Sequence, residues 1–69
     1  MYGWNKFILL VSWGDYDGAG EWIQGLAKDY GVQLTREEED GFIELATGSG
    51  ATAHELNYGW NVILTQKGR

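Results

Sequence analysis

The amino-acid sequence predicts a small α+β domain: one main helix packed on one face of an antiparallel-dominated sheet of three to four strands. Three observations predict it. Lys6 to Trp13, KFILLVSW, is dense in aliphatic and aromatic residues. Ala19, Trp22, Ile23, Leu26, Ala27 and Tyr30 recur at the helical period. Asp40-Gly41, a strong hairpin dipeptide, separates two segments with strand character.

The first strand is expected over residues 5–13. Phe7, Leu9, Val11 and Trp13 would point to one side and Ile8 and Leu10 to the other, as in a strand covered on both faces. GDYDG then supplies turn chemistry. The helix is expected over 18–30, with Asp17 or Gly18 as its cap, Glu21 favoured by the positive N-terminal dipole and Gly31 as its stop. Burying Trp22, Ile23 and Leu26 would contribute about 1.5–3 kcal/mol each.

A second strand is expected over 32–38, where Val32 and Leu34 alternate with Gln33 and Thr35, and a third over 41–47, with Ile43 and Leu45 facing the core. Gly48-Ser49-Gly50 reads as a flexible loop. Thr52 and Glu55 have capping-box spacing, so 51–58 reads as a short helix or loop ending at Gly59. A last strand is expected over 60–66, running into the polar tail QKGR.

The resulting order, βαββ(α)β over a single domain 1–69, resembles a truncated ferredoxin-like plan with strands one and three central. Without the second helix it becomes a βαβββ sandwich. Tyr2-Gly3-Trp4-Asn5 recurs as Tyr58-Gly59-Trp60-Asn61, each time before an apolar segment. A shared strand-entry device is the first reading, a half-duplication the second and a paired aromatic surface the third.

Sixty-nine residues lie near the lower size at which one apolar core suffices. Ordering them costs roughly 100 kcal/mol, at about 1.5 kcal/mol per residue. There is no Cys, which removes disulfides, thiolate metal sites and cysteine nucleophiles and fits a cytoplasmic protein. Aromatic mass takes the place of staples: Trp4, Trp13, Trp22, Trp60, four Tyr and two Phe.

Ten acids face five bases, a net charge of −5. Apart from Lys6, Lys67 and Arg69 near the ends, only Lys28 and Arg36 oppose them. Direct binding to nucleic acid or to an anionic membrane is therefore disfavoured, and a partner with a basic surface is favoured. The longest apolar run, Phe7 to Val11, is too short to span a bilayer, and with no small-x-small site after it does not read as a signal peptide.

Several motifs fail on inspection. Asp15-Tyr16-Asp17 with Gly20 places Ala19 and Leu26 where a calcium loop needs oxygen ligands. Gly14, Gly18 and Gly20 lie between two predicted elements, as in phosphate loops, but Asp15, Asp17 and Glu21 surround them and no base is near. His54 is the one histidine and adjoins only Glu55. A surface residue explains it better than catalysis does. No enzyme, cofactor or metal is expected.

The most informative stretch is Glu37-Glu38-Glu39-Asp40. As the tip of a hairpin it needs no function, since exposed carboxylates cost little in water. Asp40-Gly41 alone would make the turn, however, and with Glu44 beyond it one end of the sheet becomes an acidic ridge. The expected binding residues are Glu37, Glu38, Glu39, Asp40 and Glu44, with Phe42, Tyr58 and Trp60 as apolar anchors.

In size, charge and lack of Cys the chain is similar to small acidic inhibitors made by phages, which block uracil-DNA glycosylase, CRISPR effectors or restriction enzymes. That resemblance is one of class. It implies a DNA mimic that occupies a nucleic-acid-processing enzyme, in the host cytoplasm if phage-encoded. The alternative is an assembly protein forming a homodimer through an apolar sheet face at Ile8 and Leu10. A small enzyme comes third.

Overall fold

The computed structural model of the chain describes residues 3–67. Tyr2 of the first Tyr-Gly-Trp-Asn copy and the last two residues of the tail lie outside them. The described residues form four helices and no strand: α1 Trp4–Ser12, α2 Tyr16–Asp29, α3 Arg36–Thr47 and α4 Ala53–Lys67. The α+β expectation is overturned, and with it the ferredoxin-like plan and the sheet face on which the dimer alternative rested. Helices α1 and α3 pack on each other, and each also packs against both α2 and α4.

The expected first strand is α1. Its run of consecutive apolar residues satisfies either period, and extending it back to Trp4 decides the matter. Trp4, Phe7 and Val11, at i, i+3 and i+7, are its buried residues, whereas Leu9 and Trp13, assigned to the same strand face as Phe7, are exposed. Ile8 and Leu10 are half-buried against the core. Gly14 ends the helix at φ +79°, where a side chain would be strained. Its N–H donates to Val11 O (3.0 Å) and that of Asp15 to Leu10 O (2.9 Å), the paired bonds of a Schellman stop.

The expected helix is α2, starting two residues earlier than predicted. Asp15, not Asp17 or Gly18, is the cap, accepting from the Gly18 N–H at 3.0 Å. Ala19, Ile23 and Ala27 are buried and Trp22 and Leu26 half-buried, as the spacing required, whereas Tyr30 is 42% exposed with its ring set edge-on to Trp60. Gly31 is the stop, with φ +70°. Its N–H donates to Lys28 O and that of Val32 to Ala27 O, both at 3.0 Å.

The largest correction falls on residues 32–47. Val32 to Thr35 is irregular chain outside any strand, with Leu34 buried, Val32 half-buried and Gln33 and Thr35 exposed. The expected alternation is there, but it stops after four residues. Thr35, extended at ψ 161°, then caps a helix. Its hydroxyl accepts from the Glu38 N–H (3.1 Å), and the Glu38 carboxylate accepts from the Thr35 N–H (2.9 Å). Three glutamates in the first turn suit the positive helix end. Asp40-Gly41 lies within α3 and makes no hairpin.

The one capping box that the sequence predicts, at Thr52 and Glu55, does form. The Thr52 N–H donates to Glu55 (2.8 Å) and the Glu55 N–H to the Thr52 hydroxyl (3.2 Å). The helix it begins does not stop at Gly59, and the last expected strand is its continuation to Lys67. Leu56 and Trp60 are buried, and Ile63 and Leu64 half-buried, at helical intervals. A methyl group on Gly59 would sit 3.6 Å from the Phe42 ring, so α3 and α4 approach closely there.

Trp4 is the hub of the core. Its ring stacks on Phe42 (5.7 Å between centroids, 22° between planes) and meets Phe7 (5.5 Å), Trp22 (5.0 Å) and Trp60 (6.3 Å). Its indole N–H donates to Asn57 Oδ1 at 3.1 Å. Trp60, fully buried, keeps an N–H with no hydrogen-bond partner among the described residues. Of the four tryptophans, two are fully buried and one half-buried, while Trp13 is 71% exposed.

Candidate functional site

The capping box fixes where α3 begins, and the helical period then sorts its acids into two sets. Glu38 and Glu39 turn toward neighbouring helices and are half-buried. Glu37, Asp40 and Glu44, at i, i+3 and i+7, lie together on the exposed side. Four adjacent carboxylates are tolerated because the helix separates them.

Each inward glutamate has work in the fold. Glu38 Oε1 takes the Thr35 N–H and also Lys67 Nζ at 3.0 Å, tying the start of α3 to the last turn of α4. The Thr35 N–H first, and the Lys67 ammonium with it, hold the Glu38 carboxyl below the usual carboxylate range against an opposing push from partial burial. Glu39 accepts from Gln24 Nε2 at 2.8 Å, and that amide also donates to Leu34 O at 3.3 Å. Its carboxylate lies against Gly20 of α2, in space that a side chain there would claim.

The outward set is less engaged. Arg36 Nε stands 4.0 Å from Asp40, both side chains well exposed, a pairing that contributes little. Among the described residues no basic side chain pairs with Glu37 or Glu44. These three acids, with Gly41, Ile43 and Thr47 of α3 and Tyr16 of α2, line an open groove of about 600 Å³. Tyr16 is 51% exposed and supplies an aromatic edge beside the carboxylates.

Two further acids, at the start of α2, adjoin this row. Asp17 and Glu21 share a smaller groove with Arg36 and Glu39, so the beginnings of α2 and α3 form one acidic flank. Glu37 to Glu44 spans seven residues, about 10.5 Å at 1.5 Å per residue. Three carboxylates over that length make one charge per roughly 5 Å of axis, against about 3.4 Å for one strand of B-DNA.

The proposed apolar anchors separate from this flank. Phe42 and Trp60 are core residues, 4% and 0% exposed, and present no surface to a partner. Tyr58 is 71% exposed on α4 but does not line the groove. Tyr16 and Ile43 do line it and were not expected. The overlooked signal was Thr35-x-x-Glu38, which makes α3 a helix and turns Asp40 and Glu44 to one side.

His54 is exposed, and among the described residues no His, Asp and Glu side chains gather as a metal would need. No helix of the described residues is long and apolar enough to cross a membrane. No protein-family model, curated protein or solved structure matches the chain.

Proposed function

We propose that the protein is a small acidic binding module that inhibits a nucleic-acid-processing enzyme by occupying its basic groove. The observation that carries this reading is the exposed row Glu37, Asp40 and Glu44, unneutralised apart from the long Arg36 contact and bordered by Tyr16. Charge distribution supports it. Asp17 and Glu21 line the adjoining groove, so the acidic surface continues from α3 onto the start of α2 and suits a cationic partner. Carboxylate spacing of the same order as that of phosphates along one DNA strand favours a DNA-binding groove over a scattered basic surface. The module acts in the cytoplasm, where such an enzyme works, and Tyr16 takes the anchoring role first assigned to Phe42 and Trp60.

The test compares the protein with a triple reversal, Glu37→Lys, Asp40→Lys and Glu44→Lys, which touches neither capping box nor core. Both are immobilised and exposed to a bacterial lysate at low and moderate salt, after circular dichroism confirms equal helix content. The expected result is a DNA-binding enzyme retained by the native protein, released by added duplex and lost from the reversed variant. Equal retention by both, or retention indifferent to duplex, overturns the proposal.

A further inference from the structure

We draw no further inference here: the strongest candidate, the exposed apolar pair Tyr58 and Val62 on the side of α4 away from buried Leu56 and Trp60, carries nothing because no feature of the structure shows what covers it.

Discussion

Two capping boxes of the same chemistry begin α3 and α4, and they differ in what lies beyond them. At Thr52 and Glu55 the reciprocal bonds, 2.8 and 3.2 Å, satisfy the helix end and involve exposed residues only. At Thr35 and Glu38 the bonds are nearly the same, 2.9 and 3.1 Å, but the glutamate also receives Lys67 from the far end of α4. One box is a local device, and the other is local and tertiary at once. Whether a capping residue holds a helix or a fold is decided by what else reaches its carboxylate.

The harshest way to break this comparison is to remove the ring at which the two capped helices meet. Phe42→Ala should cost about 3–5 kcal/mol. A chain of this size has about 3–10 kcal/mol in all, so cooperative thermal unfolding should be nearly lost. A midpoint within a few degrees of the native one would show that α4 docks without Phe42.

Replacing the glutamates separates the boxes next. Glu38→Ala removes the carboxylate half of its box and the α4 tie together and should cost about 1–2 kcal/mol, against about 0.5–1 for Glu55→Ala, read by urea denaturation. Equal losses would make the Lys67 contact energetically silent.

Acidity sharpens the same contrast. The Glu38 carboxyl titrates below its ordinary value of 4.5 in the fold, so its stabilisation is fully present above that value. It is lost as pH falls through the lower folded value. Glu38→Gln keeps a side chain that can cap but cannot pair with Lys67 as a charge. The stability gap between native protein and this variant should therefore hold steady above the ordinary value of 4.5 and narrow as pH falls below it. A gap that does not change with pH would contradict the charge-based tie.

Smaller effects should follow at the threonines and glycines. Thr35→Ala and Thr52→Ala each lose about 1 kcal/mol of local cap. In hydrogen exchange the second should fray only the first turn of α4, whereas the first should also loosen the last turn of α4, through Glu38. Gly25→Ala and Gly41→Ala lie within helices with nothing near the added methyl. Each should stabilise by about 0.5–1 kcal/mol, and a loss at Gly41 would put the helicity of α3 in question.

Legibility along the chain followed the number of independent local signals that agreed. For α2 the apolar spacing, an acidic start and Gly31 all point the same way, and the departures are small: a cap two residues earlier and an exposed Tyr30. For α1 a run of adjacent apolar residues fits strand and helix equally, and the deciding residue, Trp4, lies before that run, within the Tyr-Gly-Trp-Asn repeat. For α3 the signals conflicted. Alternation at Val32 and Leu34 and the Asp40-Gly41 pair suggested a hairpin, whereas Thr35 and Glu38 marked a helix start. The capping box prevailed because its helix also buries Phe42, seats Glu39 on α2 and gives Glu38 a cation.

The acidic row was visible as composition, but its division into inward and outward carboxylates was not. That division depends on the period of the segment: a strand pairs Glu37 with Glu39, a helix pairs Glu37 with Asp40 and Glu44. Tyr16 was out of reach for a related reason, since its approach to α3 is set by how two helices cross.

The hydrogen bond from Trp4 to Asn57 joins residues 53 positions apart. During synthesis, therefore, α1 leaves the ribosome long before the helix that completes its environment. Until α4 follows, the Trp4 indole lacks its acceptor and its contact with Trp60, even if α2 and α3 have already gathered around it. The native core is thus a late event in the life of the nascent chain. A ribosome stalled before Asn57 would hold a core that still lacks the Trp4 acceptor and the Trp60 ring.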